Sequence, residues 1–512
     1  MATLRFAVRS VAIIGAGPGG LAAAKYMRDQ GVFSRIVVYE QNAEVGGAWN
    51  YSAVPNSVEH VPQENALQRP DEPIQPEPRE DDPSPAPVYP TAIYSFLHTN
   101  VPHPLMGFSD LSFASVFGSD SDSERPEGGV LTIFPQRQDV FRYLLRYAAD
   151  VRSLVRFSTV VDDVRLVPGA SQQSGGSVVD RWQVHTTSTT GKTSTVETFD
   201  AVIVANGHYD ITYLPDVPGI RAFQAAHPGV VTHAKRYRSP APYTNKKVVV
   251  VGNAASGLDV SLQVSAVCRR PLLLSVHTPT DPDNLARLAD VEEVPTIAEF
   301  LVAERGVRLA DGRIVRDVDA VIYCTGYLFS LPFLEREGEE EMEQKKEEEK
   351  QEHNRLHPLL TNGRRVFGLY RDLLHIEHPT LAFLALPYRV IPFPLAESQA
   401  ALLARVWANA LSLPSREDMH AWERAAEQER PTSFHTWPLG DDGVFINETH
   451  RQIMEDGGAV ARVGKEPPHW TDRQLWMRSL ALAPKGRFED LGRTATTLEE
   501  LGYVFDGDMA QS

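Results

Sequence analysis

The sequence has little cysteine and fewer basic than acidic residues, and both shortages narrow what the chain can be. Two cysteines in 512 residues, Cys268 and Cys324, cannot build a disulfide framework and are not spaced as a redox pair. We therefore expect a reducing compartment, the cytoplasm. The net charge of −17 argues against nucleic acid or an anionic membrane as the main partner.

Long apolar runs are also lacking, and no stretch is long enough to span a bilayer. Arg5 and Arg9, followed by the apolar run 11–24, imitate a secretory signal. The glycine spacing within this run explains it better, because cleavage there would destroy a nucleotide fold. Because no stretch is long enough, we expect no membrane span. We find no metal-ligand cluster and no nucleophile elbow, so we also expect no metal centre.

What is present begins with a nucleotide-binding pattern at the N-terminus. The apolar run Val11–Ile14 is typical of a strand buried on both faces of a parallel sheet. Residues 15–20 then read G-x-G-x-x-G and lead into a predicted helix, Leu21–Gln30. The next predicted strand, Arg35–Tyr39, ends on Glu40, whose carboxylate can accept hydrogen bonds from an adenosine ribose. The spacing predicts dinucleotide binding.

A second pattern of the same kind follows in the middle of the chain. The predicted strand Val248–Val251 is followed by G-x-A-x-x-G at residues 252–257 and a helix from Leu258. The next predicted strand, Leu272–Val276, has no acid at its end, where Ser275, His277 and Thr278 stand. A carboxylate there would repel a 2′-phosphate, so its absence favours NADPH over NADH. Arg269 and Arg270 are candidates for the missing arginine clamp.

Two further strand ends suggest how the patterns are arranged. The predicted strand 200–204 ends in Ala-Asn-Gly-His, and the predicted strand 319–323 ends in Cys-Thr-Gly-Tyr. The two lie on either side of the second glycine motif, which indicates that one nucleotide domain is inserted into another. We predict an α/β fold with two Rossmann-like, three-layer dinucleotide-binding domains. The predicted units are 9–215 (first domain), 216–324 (inserted second domain) and 325–512 (return to the first).

The remaining segments carry less chemistry. A proline-rich stretch within 52–90 and a glutamate-rich run at 335–352 are predicted to be surface insertions. We expect a helix from about 137 to 149 and antiparallel strands between 155 and 184. A strand at 379–386 and a helix at 394–408 follow. The last hundred residues are predicted to be mainly helical and contain no recognisable motif.

The combined pattern resembles the flavin-containing monooxygenases, most closely those of fungi and yeasts. Their identifier F-x-G-x-x-x-H-x-x-x-[Y/F] corresponds to residues 227–237, where the glycine, His233 and Tyr237 match and His227 replaces the first aromatic residue. Four blocks support the resemblance: GGAWNY (46–51), YSFLHTNVP (94–102), FPQRQDV (134–140) and AESQA (396–400). The similarity extends from about residue 10 to 408.

The resemblance implies two cofactors, FAD and NADPH, and it implies a set of site residues. The FAD site would contain Gly15, Gly17, Pro18, Gly19, Gly20, Glu40, Gly47, Trp49 and Asn100. The NADPH site would contain Gly252, Ala254, Ser256, Gly257 and Ser275. Asn100 would also be catalytic, because it would sit beside the flavin ring and stabilise its oxygen adduct.

The chemistry implied by the family is oxygen transfer. NADPH delivers a hydride to FAD, and reduced flavin combines with O2 to give a C4a-hydroperoxide. A sulfur or nitrogen nucleophile in a small molecule then takes one oxygen atom, and fungal secondary metabolism is one setting that the resemblance allows. The cofactor performs the difficult steps, so the protein supplies positioning and water exclusion. A homodimer is also compatible with the resemblance.

Several residues and functions stay open at this stage. His233 and Tyr237 are predicted to be structural, Glu397 and Gln399 to cap or orient a helix near the flavin, and Cys324 to be a small buried residue. Alternative functions are a Baeyer–Villiger monooxygenase, an uncoupled NADPH oxidase and a flavoprotein that binds without turnover. A disulfide reductase is disfavoured because the chain has no close cysteine pair.

Overall fold

The computed structural model describes residues 4–55, 60–65, 73–78, 85–117, 130–167, 177–178, 180–191, 193–334 and 359–509. The predicted insertion at 335–352 and the predicted turn near 171–176 lie outside these residues, as does much of the proline-rich stretch.

The described strands have two to eight residues each. In chain order they are β1 Arg5–Phe6, β2 Ser10–Ile14, β3 Arg35–Tyr39, β4 Val155–Arg156, β5 Thr159–Leu166, β6 Ser177–Val178, β7 Trp182–Ser188, β8 Ser194–Phe199, β9 Ala201–Val204, β10 Ile211–Thr212, β11 Val231–His233, β12 Val248–Val251, β13 Leu272–Val276, β14 Val291–Pro295, β15 Ile297–Leu301, β16 Gly306–Leu309, β17 Ile314–Val315, β18 Ala320–Tyr323, β19 Tyr327–Leu328, β20 Leu369–Tyr370, β21 Leu374–His375 and β22 Leu381–Phe383.

The helices dominate only the C-terminal quarter. They are α1 Pro18–Gln30, α2 His103–Met106, α3 Phe113–Val116, α4 Arg137–Ala148, α5 Ile220–Ala226, α6 Ala255–Ser265, α7 Pro282–Ala286, α8 Pro392–Trp407, α9 Arg416–Glu429, α10 Asp441–Arg451, α11 Gly458–Ala461, α12 Asp472–Ser479, α13 Ala483–Asp490 and α14 Asp506–Met509. The predicted helix at 137–149 and the helical C-terminal region are confirmed. Within the described residues, none of these helices has both the length and the apolarity needed to cross a membrane.

The first sheet carries the first glycine motif. Its strand order is β20-β21-β22-β9-β2-β3-β4, and the strands from β22 to β4 are parallel. The residues of β9 and nearly all of β2 are buried, because helices cover one face of the sheet and antiparallel strands cover the other. Helices α1 and α8 pack against each other on one side, and a three-stranded antiparallel sheet of β5, β7 and β8 lies beside it. The predicted antiparallel strands are therefore confirmed.

The second sheet carries the second glycine motif. Its five described strands run in the order β11-β18-β12-β13-β14, and all are parallel. Val248, Val249 and Val250 of β12 are completely buried, which explains the uninterrupted apolar run. A three-stranded antiparallel unit, β15 to β17, is inserted between β14 and β18 and was not predicted from the sequence. The predicted fold class, with two Rossmann-like domains, is confirmed.

The chain passes between the two sheets through a pair of short strands. Strand β10 precedes the second sheet in sequence, β19 follows it, and the two pair antiparallel with each other. Exit and return therefore lie side by side, as expected for an inserted domain. The exact division at 215/216 and 324/325 stays a prediction, and this pairing supports it.

Candidate functional site: two nucleotide turns and the cleft beside them

The first glycine motif forms a turn that admits no side chain at its two closest points. Gly15 has a φ of +99°, and a Cβ there would lie 2.6 Å from the carbonyl oxygen of Ala205. A Cβ on Gly20 would lie 1.9 Å from the carbonyl oxygen of Gly15, so helix α1 approaches the turn too closely for alanine. The Gly15 amide donates to the Tyr39 carbonyl at 2.8 Å and fixes the turn to β3.

The second motif repeats this geometry. Gly252 has a φ of +101°, and a Cβ there would lie 3.0 Å from the carbonyl oxygen of Cys324. A Cβ on Gly257 would lie 1.9 Å from the carbonyl oxygen of Gly252. The Gly252 amide donates to the Ser275 carbonyl at 2.9 Å. Ala205 and Cys324 therefore occupy equivalent positions in the two sheets, and buried Cys324 packs as a small strand-end residue as predicted.

Both helices that follow the turns leave their first amides available to an anion. Gly17 is the residue before α1 and Ala254 the residue before α6. Neither helix has a side-chain cap at its N-terminus, and neither first turn contains an acid. By contrast, the side chain of Ser415 caps the N-terminus of α9, and a capping box at Thr471 caps the N-terminus of α12. The first turn of each of these two helices contains at least one acidic residue. Free amides at a helix N-terminus, with the positive end of the helix dipole, suit a pyrophosphate. Ser256 lies exposed in the first turn of α6.

The GGAW loop lies directly against the first turn. A Cβ on Gly47, whose φ is +55°, would lie 2.9 Å from the Cα of Gly17, and the Gly46 amide donates to the Ala16 carbonyl at 3.0 Å. Trp49 is half-buried against the core beneath. The structure thus brings Gly17, Gly47 and Trp49 together around one turn, in agreement with their common assignment from the sequence.

Pro18 and Gly19 contribute to the same turn by packing. Pro18 takes the first position of α1, where a missing amide hydrogen costs no helical bond. A Cβ on Gly19 would contact the side chains of Leu384 at 3.6 Å and Ala396 at 3.8 Å, so this glycine lies against β22 and α8. Direct contact of either residue with a cofactor stays a prediction.

Glu40 is buried at the end of β3 and is held by the turn. Its Oε2 accepts from the Ala16 amide at 2.8 Å, and its Oε1 accepts from the backbone and side-chain nitrogens of Asn42, both at 2.9 Å. Burial raises the pKa of this carboxyl, while these hydrogen bonds act against the rise. Asn42 was missed in the sequence; an Asx residue two positions after a strand-end acid was the available signal.

The second sheet has no carboxylate at this position. Gly252 bonds to Ser275 as Gly15 bonds to Tyr39, so the counterpart of Glu40 is Val276. Ser275 itself is buried, and its hydroxyl donates to the Pro295 carbonyl at 3.1 Å. The hydroxyl is thus bonded within the sheet, and the predicted role of Ser275 in cofactor binding stays a prediction.

The prediction that Arg269 and Arg270 could clamp a 2′-phosphate is wrong, because the two residues lie at the wrong end of the strand. Arg269 and Arg270 precede β13, whereas the glycine turn lies beyond the carboxyl ends of the parallel strands. The five residues of β13 separate the two ends of the strand by roughly 15 Å. Arg270 instead pairs with Asp290 at 2.8 Å. These arginines therefore lie at the amino-terminal ends of the parallel strands, and the glycine turn lies at the carboxyl ends.

Asn100 lies exposed in a cleft beside the second nucleotide helix. The cleft is lined by the first turns of α6, including Ala255 and Leu258, and by Lys485 and Glu489 of α13. The backbone around Asn100 is fixed, since the Thr99 amide donates to the Pro135 carbonyl at 2.9 Å. Asn100 thus faces the second nucleotide turn, and its predicted contact with flavin stays a prediction.

The other residues singled out in the sequence are mostly held in internal networks. His233 and Tyr237 are buried; Nδ1 of His233 accepts from the Lys235 amide at 3.1 Å, and the Tyr237 hydroxyl donates to Gln263 at 2.9 Å. Both contacts agree with structural roles.

The α8 residues do not cap their helix. Glu397 is completely buried, pairs with Lys465, and accepts from the Ser109 amide at 2.9 Å. The cap prediction for Glu397 is wrong, because its carboxylate lies in the interior one turn inside α8. Gln399 accepts from the Ala385 amide at 2.9 Å and so orients the loop after β22.

The fold and the two turns define an α/β protein with two dinucleotide-binding domains, one inserted into the other. Residues 13–65 match the family model described as an NAD(P)-binding Rossmann-like domain, and residues 91–281 match the one described as flavin-binding monooxygenase-like. Flavin-containing monooxygenase FMO GS-OX-like 4 of Arabidopsis thaliana is 31% identical over 420 residues, 80% of this chain and 78% of the relative. The chain therefore belongs to the flavin-containing monooxygenase family.

Other comparisons agree. Flavin-containing monooxygenase FMO GS-OX3 of Arabidopsis thaliana is 28% identical over 91% of this chain and 92% of its own. The fold is shared with S-allyl-L-cysteine S-oxygenase from Allium sativum (TM-score 0.68, 23% identity, 98% of each chain) and with Tmm from Pelagibacter sp. strain HTCC7211 (TM-score 0.63, 20% identity, 93% and 90%).

These comparisons confirm that the chain is a flavin monooxygenase, and they confirm FAD and NADP as its cofactors. They give no support to a particular closeness to fungal or yeast members, because these four proteins come from plants and from Pelagibacter.

Proposed function

We propose that the chain is an NADPH-dependent monooxygenase that carries FAD on the first turn and NADPH on the second, and transfers one oxygen atom from O2 to sulfur or nitrogen in a small molecule. The observation that carries the assignment of the two turns is the difference between their strand-end residues. Glu40 ends β3, whereas Val276 stands at the equivalent position of β13. A ribose with two free hydroxyls suits the first, and a 2′-phosphate is not repelled by the second.

The residues of the first turn fit FAD. The amides at the start of α1 would hold the pyrophosphate, with Gly17 and Gly47 allowing close approach. Oε2 of Glu40 accepts one hydrogen bond in the structure and has acceptor capacity left for a ribose hydroxyl. Bound FAD would supply the redox chemistry between NADPH and O2, and the protein supplies orientation and water exclusion.

The residues of the second turn fit NADPH in the same way. The amides at the start of α6, around Ala254 and Ser256, would hold its pyrophosphate. Asn100 faces this helix across the cleft, so its exposed amide can donate to an oxygen held between the two cofactors. We propose Asn100 as the catalytic residue on this basis and retain a cytoplasmic location, since both cysteines are free and buried.

The test is substrate-dependent oxygen transfer by the purified, flavin-loaded chain. NADPH consumption would be measured against thioethers, thiols, amines and ketones under labelled O2, with mass detection of the product. Thioethers come first, because the Allium protein of the same fold is an S-oxygenase. We expect one labelled oxygen atom on sulfur or nitrogen per NADPH. Conversion of only ketones to esters would contradict the proposal, as would NADPH consumption that yields hydrogen peroxide with every substrate.

A further inference from the structure

Three segments that are distant in sequence meet at one buried carboxylate, that of Asp259. Asp259 lies in the second turn of α6, just after the second glycine motif. Tyr94 comes from the loop of the first domain that also carries Asn100, and its hydroxyl donates to Oδ2 of Asp259. Arg493, from the C-terminal region, lies 3.4 Å from Oδ1. Neither Asp259 nor Arg493 belongs to a motif that can be recognised in the sequence.

The carboxylate is fully engaged by these partners. The side-chain amide of Gln263 donates to Oδ2 of Asp259 at 3.1 Å, and the Tyr237 hydroxyl donates to the other end of Gln263. The rings of Tyr94 and Tyr237 pack edge to face, with centroids 5.3 Å apart. Because the Asp259 carboxylate contacts Tyr94, Gln263 and Arg493 at once, it ties the three segments together.

The neighbouring charges are already paired with each other. Glu489 of α13 lies 2.8 Å from Arg287 and 3.6 Å from Lys485. Burial lowers the pKa of Lys485 to about 8. Glu489 also lies 3.8 Å from Arg493, so α13 extends the network from Asp259 along the wall of the cleft. Among the described residues of this cleft wall, Arg493 is therefore the cation that contacts Asp259.

The junction lies in the wall of the cleft beside the second nucleotide helix. Asn100 and Ala255 line one cleft, and Asp259 lines it one helical turn further along α6. A hydride moves only between rings held a few ångströms apart, and a misplacement of about 1 Å can cost on the order of 100-fold in rate. The network fixes the loop of Asn100 to the helix that would hold the NADPH pyrophosphate.

We propose that Asp259, with Tyr94 and Arg493, is a positioning residue that sets NADPH against the flavin. The proposal rests on the function proposed above. It assigns a role in the reaction to the C-terminal region, which supplies Arg493 to this junction. The Tyr237 hydroxyl belongs to the same network, because it bonds to Gln263, which in turn bonds to Asp259.

The test separates positioning from stability by reducing the flavin in two ways. Asp259→Asn, Tyr94→Phe and Arg493→Gln would be mixed anaerobically with NADPH and, separately, with dithionite, which needs no binding site. Glu299→Gln is the matched control, because Glu299 forms an exposed pair with Arg308 in the same domain. Flavin content, and hydrogen peroxide released per NADPH in air, complete the measurements.

We expect reduction by NADPH to be about 10- to 100-fold slower in Asp259→Asn and less impaired in the other two. Dithionite reduction and flavin content should match the parent, and the peroxide share should rise. The double variant with Tyr94→Phe should be no worse than Asp259→Asn alone, because both changes remove the same contact. Tyr94→Phe retains the ring packing and decides the question if Asp259→Asn does not fold.

The proposal is overturned if folded Asp259→Asn and Tyr94→Phe are reduced by NADPH at the parental rate. It is also overturned if reduction by NADPH falls only in proportion to lost flavin, since that result describes a purely structural contact. A parent protein that holds flavin but is not reduced by NADPH would instead contradict the proposed function, and this proposal with it.

Discussion

The two nucleotide turns of this chain share the close approach of helix to turn, and they differ in the residue at the end of the following strand. Gly20 and Gly257 each approach the first glycine of their turn so closely that a Cβ would lie 1.9 Å from its carbonyl oxygen. Beyond that shared geometry, buried Glu40 follows β3, whereas buried Val276 stands at the equivalent position at the end of β13. The glycines therefore leave room for a pyrophosphate in both domains, and we propose that the strand-end side chain helps to distinguish the two nucleotides.

We expect the largest effect from adding a methyl group at Gly20 or Gly257, where the helix lies closest to the glycine turn. Gly20→Ala should lower the free energy of unfolding by about 3 kcal/mol or more and abolish flavin retention, because the backbone carbonyl of Gly15 blocks the new methyl group. Gly257→Ala should remain yellow and lose reduction by NADPH. Denaturant unfolding and flavin absorbance measure both effects.

The control for this pair is Gly191→Ala, whose Cβ would meet its nearest neighbour, Thr193 Oγ1, at an ordinary 3.6 Å. Equal loss of flavin in Gly20→Ala and Gly257→Ala would mean that the two turns do not serve separate nucleotides.

Removal of the first carboxylate should have the next largest effect. Glu40→Ala leaves the Ala16 and Asn42 amides without their acceptor, and each buried unsatisfied donor costs about 1–3 kcal/mol. We expect the free energy of unfolding to fall by about 2–4 kcal/mol, with loss of bound flavin. Glu44→Ala in the same loop removes a partly exposed pair with Arg152 and should cost less than about 1 kcal/mol. Similar losses in both variants would show that Glu40 has no special role.

A carboxylate placed in the second turn should make the two sites more alike. Val276→Glu introduces an acid where Glu40 stands in the first turn, and it should repel a 2′-phosphate while accepting ribose hydroxyls. We expect the ratio of kcat/KM for NADPH over NADH to fall by about 10-fold or more. Val276→Gln has the same size without the charge and should change the ratio much less. An unchanged ratio in the glutamate variant would remove Val276 from the determinants of specificity.

The smallest expected effect is a fall in the free energy of unfolding at acidic pH. We expect one buried histidine in each domain to contribute to it. Burial lowers the pKa of His98 to about 4 and that of His233 to about 3, below the ordinary value of about 6.5. As the pH falls, each histidine is protonated in the unfolded chain before it is protonated in the folded chain. The stability present above pH 6.5 is therefore lost as the pH falls toward 4. At about pH 5.5 each histidine should cost about 1 kcal/mol.

The measurement is the free energy of unfolding as a function of pH. His98→Asn and His233→Asn should each flatten its slope between about pH 6.5 and 4, and the same change at exposed His60 is the control. Unchanged slopes in both buried variants would contradict this account.

Much of the fold could be predicted because its signals are local. The spacing of Gly20 from Gly15, and of Gly257 from Gly252, follows from close backbone contacts within each turn. The uninterrupted apolar strands β12 and β13 have the predicted bounds, because a parallel sheet buries both faces of a strand. Strand-end Glu40 belongs to the same local unit.

What could not be predicted depends on contacts between distant segments. Asp259 looks like an ordinary polar residue of a helix until the fold brings Tyr94 and Arg493 to it. Glu397 has the position of a helix-capping residue in the sequence, yet its charge is paired with Lys465, 68 residues away. Glu40 stands twenty residues after Gly20, and the same count from Gly257 leads to His277, whereas the strand register identifies Val276.

The most direct test is an anaerobic titration of the purified, flavin-loaded chain with NADPH and, separately, with NADH. We predict that the yellow flavin colour is bleached by one equivalent of NADPH, and faster than by NADH. A chain that stays colourless after reconstitution with FAD, or a yellow chain that NADPH does not bleach, would contradict the claim that two turns hold two cooperating nucleotides.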